Sequence, residues 1–262
     1  KNEKKDNIMI LAIDMGNSNI VIGGIDNTKI YFLERITTYT TRTELEYSMY
    51  IKGILDIYGV NPKDIEGAIL SSVVPPLNET IRHAITKITG LECMLVESGM
   101  KTGLNILMDN PKTVGSDMIV DAVAAMDEYP LPLAIIDMGT ATTISVVDNK
   151  GNYIGGIIHP GLRISLDTLS SKTAQLPQVN LDIPKKVIAK NTIDSMRSGI
   201  LFGHAGMMDG IIYRMEEELG EKLNVVATGG LAPFVAPLCK HDIIVDDSLL
   251  LKGLLKLYIK NQ

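Results

Sequence analysis

Apolar and polar positions along the chain write one unit twice. An apolar run over residues 8–13 ends at Asp14-Met15-Gly16-Asn17-Ser18-Asn19, and a second run over 20–25 leads away to Asp26. The same order returns at 133–136, then Asp137-Met138-Gly139-Thr140-Ala141-Thr142, then 144–147 and Asp148. Runs this short, bounded by glycine and small polar residues, predict a strand, a tight turn and a returning strand. Their repetition predicts a duplicated unit. After the first copy, 29–36 reads as a third strand and 43–58 as an amphipathic helix, with Leu45, Met49, Ile54 and Leu55 apolar and Gly59 as its stop. A buried strand over 67–74 ends at Pro75-Pro76, a helix follows to 89, and a strand covers 93–96.

The second half repeats the order. Three strands lie between 133 and 159, with a turn at 149–152, and a helix follows Pro160-Gly161. Residues 192–219 read as mainly helical, with Gly199, Gly203 and Gly206 expected at points of close packing. The stretch 200–212 suits either core or an interface. Strands at 223–227 and 243–245 and a closing helix at 248–259 complete the pattern. Strands interleaved with helices predict an α/β fold of mixed sheets flanked by helices. Pro130 and Pro132 stop the helix before them, which sets the expected domains at 9–130 and 131–262.

The repeated bends carry the first chemical signal. Glycine lets a backbone come close to a ligand. The small hydroxyl and amide residues after it, with backbone N–H groups, offer donors to phosphate oxygens. An Asp at the strand end suits a cation, directly or through water. Two such hairpins facing one another would grip a nucleoside triphosphate and its metal from both sides.

Composition narrows the partners. With 262 residues the chain accommodates two modest domains. Its net charge of −6, with Lys and Arg scattered, argues against nucleic acid or an anionic membrane. No apolar stretch approaches the ~20 residues of a membrane span. Cys93 and Cys239 show no metal spacing and suit a reduced cytoplasm. His83, His159, His204 and His241 are isolated from one another in sequence and read as structural or solvated. The first seven residues read as a lead outside the fold, not a secretory signal, with Met9 a plausible start.

The two bends resemble the phosphate motifs of the actin, sugar kinase and heat-shock ATPase superfamily, and Thr228-Gly229-Gly230 resembles its adenosine motif. A closer resemblance, from Met9 to about Tyr258, is to the type III pantothenate kinase family. It is carried by Ser71-Ser72-Val73-Val74-Pro75-Pro76, Lys101-Thr102-Gly103-Leu104, Asp109-Asn110-Pro111, Gly115-Ser116-Asp117, the second bend with Thr143, Gly155-Gly156-Ile157-Ile158-His159-Pro160-Gly161, Thr173-Ala174-Gln175-Leu176-Pro177 and Asn191-Thr192, in that order.

The resemblance implies two duplicated ribonuclease-H-like domains of the actin-like ATPase fold. It implies ATP-dependent phosphorylation of pantothenate to 4'-phosphopantothenate, the first step of coenzyme A biosynthesis. Asp14 would hold hydrated Mg2+, and Met15, Gly16, Asn17, Ser18, Asn19, Ile20 and Val21 would line the nucleotide with Thr140, Gly229 and Gly230. Asp137 would bind a monovalent cation, K+ or NH4+. Such a charge makes sense beside phosphates where no Walker lysine stands.

Asp117 would be the base on the acceptor hydroxyl, with Met108, Gly115, Ser116, Met118 and Thr192 on the acceptor side. Ser116 reads as the cap of a helix over 116–129. A first-turn position for Asp117 would favour its ionised form and weaken it as a base. Asp121, one turn on, reads as solvated. A homodimer is also implied, with the acceptor pocket completed near the subunit interface.

Two positions depart from the family pattern. Where it usually reads Gly-Ala-Asp-Arg, this chain has Gly115-Ser116-Asp117-Met118, and Met has neither the charge nor the forked donors of Arg. Where an acceptor-binding Tyr often stands, this chain has Met108. Two alternatives therefore stand beside the pantothenate kinase. One is a related kinase with another hydroxylated acceptor; the other is a non-catalytic regulatory paralogue, against which intact Asp14, Asp117 and Asp137 speak.

Overall fold

A computed structural model describes residues 8–262, and the expectation for the first seven lies outside them. The chain forms two compact units. One comprises residues up to Gly103 with Asn110–Ala124 and Ser248–Gln262; the other comprises Leu104–Asp109 and Ala125–Asp247.

The first unit is built on a five-stranded sheet in the order β3-β2-β1-β4-β5. Strands β1 (Ile10–Met15), β2 (Asn19–Ile25) and β3 (Ile30–Thr37) are antiparallel, while β4 (Gly67–Ser72) and β5 (Cys93–Leu95) continue parallel to β1. Side chains alternate across a strand. Leu11, Ile13 and Met15 thus share one core with Tyr47, Ile51, Ile54 and Leu55 of α1 (Glu44–Ile57) and Ile81, Ala84 and Ile85 of α2 (Asn78–Thr89). Ile10 and Ala12 enter the opposite core, with Val120 of α3 (Ser116–Glu128) and Leu251, Leu254 and Tyr258 of α7 (Leu249–Lys260). Asp14 and Ser71 project on this second face, by the same alternation.

Thr43 and Glu46 close a capping box that starts α1. The apolar stripe expected there needs correction. Ile54 and Leu55 are buried, but Leu45 and Met49 face solvent, because Tyr47 and Ile51 supply the inward ridge. The closing helix α7 lies with the first unit, although its place in the sequence put it with the second half. A Cβ on Gly23 would run into the Leu251 side chain, and one on Gly67 into that of Tyr258, so glycine in β2 and β4 admits the helix.

The second unit has a six-stranded sheet in the order β11-β10-β7-β8-β9-β6. Strands β7 (Leu133–Met138), β8 (Ala141–Val147) and β9 (Asn152–Pro160) repeat the antiparallel trio, and β10 (Asn224–Thr228) and β11 (Ile243–Val245) repeat the parallel pair. A two-residue strand, β6 (Asn105–Ile106), joins the edge of β9 and was not expected. Ala134, Ile136 and Met138 share a core with Leu162 and Leu166 of α4 (Leu162–Lys172) and Ile200, Leu201, Met208 and Ile212 of α5 (Thr192–Leu219). The stretch 200–212 thus contributes to the core.

Its glycines do not mark close packing. A Cβ on Gly199, Gly203 or Gly206 would meet nothing within 4 Å. No helix among the described residues is long and apolar enough to cross a membrane.

Candidate active site

The first bend joins β1 to β2 through four residues. Met15 pairs with Ile20, and Gly16 N–H donates to Asn19 O at 3.0 Å. The end of β3 braces it: Thr38 N–H donates to Ser18 O at 3.0 Å and Thr38 Oγ1 to Gly16 O at 2.7 Å. Three of the bend's carbonyls are thereby drawn into internal bonds. The side chains of Asn17, Ser18 and Asn19 are exposed at its tip. A bend that spends its carbonyls inward and carries amides and a hydroxyl outward suits an anion. Met15 and Ile20 are fully buried in the core, so they would meet a nucleotide through backbone alone.

The second bend is one residue shorter. Met138 pairs with Thr142, and Gly139 N–H donates to Ala141 O at 3.0 Å. The end of β9 braces it, as Gly161 N–H donates to Thr140 O at 3.1 Å. Thr140 is exposed. Thr142 is fully buried, and its Oγ1 has no hydrogen-bond partner.

The adenosine-like loop meets this bend within the same unit. Thr228 pairs with Asp137 across β10 and β7. Gly229 has φ of +92°, and a Cβ there would lie 2.7 Å from Met138 O and 2.8 Å from Asp137 Oδ1. Only glycine takes this conformation and clears the carboxylate. A carboxylate oxygen beside a carbonyl oxygen is a donor set that suits a hard cation.

Asp26 and Asp148, which end the two returning runs, close turns. Asp26 accepts from Thr28 N–H and Oγ1–H, Lys29 N–H and Tyr31 Oη–H at 2.7–2.9 Å. Burial pushes its carboxyl up, but these bonds outweigh burial and hold it at about 2. Asp148 accepts from Lys150 N–H, Asn152 N–H and Asn152 Nδ2–H at 2.8–2.9 Å.

The acceptor-side carboxylate lies in the first unit. Asp117 occupies the first turn of α3, and its Oδ1 accepts from Met118 N–H at 2.9 Å. Burial pushes its carboxyl above the ordinary Asp value, against two backbone N–H groups that lower it. The expectation of a weakened base is therefore reversed, because desolvation outweighs the helix start. A Cβ on Gly115 would overlap Asp117 Oδ1, so the glycine gives the carboxylate its space.

Ser116 is not the residue before the helix but its first, and its hydroxyl bonds to Ser71 and Ser72 at the end of β4. Asp121, expected in solvent, is 2% exposed. Asp14 and Asp117 thus belong to one face of the first sheet.

In the second unit Met108 Sδ would lie 3.6 Å from a Cβ on Gly155, beside β9. Thr192 begins α5 and is exposed, and Asn191 Oδ1 caps that helix by accepting from Asp194 N–H at 2.8 Å. The histidines are less isolated than the sequence suggested. His159 and His204 meet edge to face with ring centroids 5.2 Å apart, and both approach Pro160 O.

Among the described residues no group of three or more His, Cys, Asp or Glu is arranged to hold a metal. A cavity of about 250 Å³ between β9 and α5 is lined by Ile154, Ile157, Ile211, Arg214 and Met215. None of the expected site residues lines it.

A model of the type III pantothenate kinase family matches residues 10–214. The chain is 43% identical over 256 residues to the type III pantothenate kinase of Brevibacillus brevis, covering 97% of this chain and all of that protein. Among solved structures it resembles component A of (R)-2-hydroxyglutaryl-CoA dehydratase from Acidaminococcus fermentans, with TM-score 0.57 at 16% identity, over 96% of this chain and 97% of that one. It also resembles MreB 5 of Spiroplasma citri bound to AMPPNP, with TM-score 0.54 at 11% identity, over 94% of each chain. These likenesses show the fold, that of the actin-like ATPases, with the two mixed sheets flanked by helices that the sequence predicted.

Proposed function

The chain belongs to the type III pantothenate kinase family, and on that premise we propose which of its residues perform the reaction. The activity is ATP-dependent phosphorylation of pantothenate to 4'-phosphopantothenate, which opens coenzyme A biosynthesis. The observation that carries the assignment of roles is the half-buried Asp117 carboxylate at the start of α3, which occupies the space a Cβ on Gly115 would take and whose pKa desolvation raises.

Phosphoryl transfer asks the protein to position, to neutralise charge and to orient the nucleophile. Asp117 takes the proton of the pantothenate primary hydroxyl as its oxygen bonds to the γ-phosphorus. The bond to the β–γ bridging oxygen breaks, and ADP leaves. A carboxyl raised by burial holds that proton better than a solvated one. Asn17, Ser18 and Asn19 supply donors to phosphate from the first bend, and Thr140 from the second. Gly229 and Gly230 leave room for the adenosine.

Asp14 would hold hydrated Mg2+, as a single carboxylate suits an ion that keeps most of its waters, and the ion would neutralise charge on the phosphates. Asp137, with Met138 O beside it, would hold K+ or NH4+, which would supply a fixed positive charge near the phosphates. On the acceptor side we place Met108, Gly115, Met118 and Thr192, with Ser116 contributing through its backbone because its hydroxyl is bonded to the end of β4.

A homodimer fits the exposed apolar residues Ile158, Val187, Ile188 and Ile193 and the exposed glycines of α5. Two free cysteines, Cys93 and Cys239, fit a cytoplasmic setting.

The test is Asp117→Asn. Its kcat should fall by about 10²-fold or more, the scale of a lost general base, while ATP binding by calorimetry stays within a few-fold. Turnover close to that of the unaltered chain would remove Asp117 from the role.

A further inference from the structure

We propose that Ser116 and Ser71 are a positioning pair that locks the start of α3 to the strand end beside Asp14 and so fixes where Asp117 stands. The inference rests on the reading of Asp117 as the base. Three contacts meet at one hydroxyl. Ser72 N–H donates to Ser116 Oγ at 3.1 Å, Ser116 Oγ donates to Ser72 O at 3.1 Å, and Ser71 Oγ lies 3.0 Å away. A serine hydroxyl has one proton to give. With that proton on Ser72 O, Ser71 must be the donor in the third contact. Ser116 Oγ then gives one bond and receives two, and its capacity is filled.

The strand register says why this matters. In the parallel pairing of β1 with β4, Asp14 is opposite Ser71 and Met15 opposite Ser72. Ser71 is fully buried on the face from which Asp14 projects. Ser72 Oγ in turn accepts from Val74 N–H at 3.0 Å and holds the chain as it leaves the strand. The carboxylate expected to manage the nucleotide's metal and the one expected to take the proton are therefore joined by three links: the pairing of Asp14 with Ser71, the Ser71–Ser116 hydroxyl contact, and the peptide bond from Ser116 to Asp117. None of the Ser116 bonds runs to a helix amide. They leave the helix for the strand, so the hydroxyl serves docking and not capping.

Beyond Ser116 the carboxylate has little freedom. Oδ1 is held by Met118 N–H at 2.9 Å, and it fills the space that a Cβ on Gly115 would take. A shift of the helix start thus moves Asp117 bodily. Misplacement of a reacting group by about 1 Å can cost about 10²-fold in rate.

The experiment uses the full chain with ATP, pantothenate, MgCl2 and KCl, comparing Ser116→Ala, Ser116→Thr and Asp117→Asn. Ser116→Ala should lower kcat about tenfold, leave the KM for ATP within twofold, and lower the unfolding temperature by a few degrees for the bonds lost. Ser116→Thr, which keeps the hydroxyl, should recover most of the rate. Unchanged kcat in Ser116→Ala beside an inactive Asp117→Asn overturns the positioning pair alone. An active Asp117→Asn overturns the base and this inference with it. Equal losses in the Ala and Thr variants, or a KM for ATP that rises in step with the fall in kcat, mark general packing damage and overturn it as well.

Discussion

The two bends solve one problem with different means. Each ends a strand with an Asp, turns at a glycine, and is braced by an N–H from the end of the third strand: Thr38 to Ser18 O in one, Gly161 to Thr140 O in the other. The first has four residues between its paired ends and the second has three. The longer bend is filled in by a side chain, since Thr38 Oγ1 also reaches Gly16 O. The shorter bend brings the bracing strand so close that no side chain fits. A Cβ on Gly161 would lie 2.6 Å from Gly139 O and closer still to Thr140 O. Gly161 has φ of −66° and ψ of 164°, which any residue adopts, so space and not conformation demands the glycine there.

The largest way to break this comparison is Gly161→Ala. The added methyl meets two backbone oxygens that cannot rotate away. Overpacking of this kind costs about 1–3 kcal/mol, and the bend must open to relieve it. We expect the upper part of that range in chemical denaturation, with a clear rise in the KM for ATP. A variant as stable and as active as the original chain would show that the second bend yields, and that its shortness imposes nothing.

The second contrast lies at the far ends of the same hairpins. Asp26 is 3% exposed and takes four bonds, whereas Asp148 is only partly buried and takes three. Its bonds depress the Asp26 pKa to about 2 against the burial that raises it. A depressed folded-state pKa contributes stability above the unfolded value of about 3.9, and that stability is lost as pH falls through about 2. After allowance for screening, the contribution is about 1–2 kcal/mol. Asp26→Asn should therefore lower the unfolding temperature at pH 7 and flatten its fall between about pH 4 and pH 2. Asp148→Asn should cost less, because Asn also closes such turns. Equal losses in the two variants would mean that burial does not separate them.

These pairs also show what a sequence displays and what it hides. The bends were legible because glycine, small polar residues and a terminal Asp recur at matching places, and the strand and helix order followed from short apolar runs. The braces were not legible. Thr38 and Gly161 are far in sequence from the bends they hold, and only the third strand's return brings them there. The same holds for Ser116, whose neighbour Asp117 was placed correctly at a helix start. Its hydroxyl bonds across 44 residues to Ser72, and no local pattern encodes that. Asp117's raised pKa was hidden for the same reason, since desolvation comes from tertiary packing and not from its local sequence. Leu45 and Met49 were misplaced because α1 carries more apolar positions than its inner face uses. The path of α7 back to the first sheet was unreadable from a helix that is apolar along most of its length.

The smallest test isolates the side-chain brace. Thr38→Val keeps the shape and the backbone N–H to Ser18 O and removes only the hydroxyl bond to Gly16 O. One such bond contributes about 1 kcal/mol. The change makes the first bend resemble the second, held by a single N–H. If the longer bend needs the extra tie, the KM for ATP should rise several-fold while kcat stays near its original value, because Asp117 is untouched. If the KM does not move, a four-residue bend is rigid through its backbone alone. Bend length would then set only how near the third strand comes, and would say nothing about how firmly each bend is held.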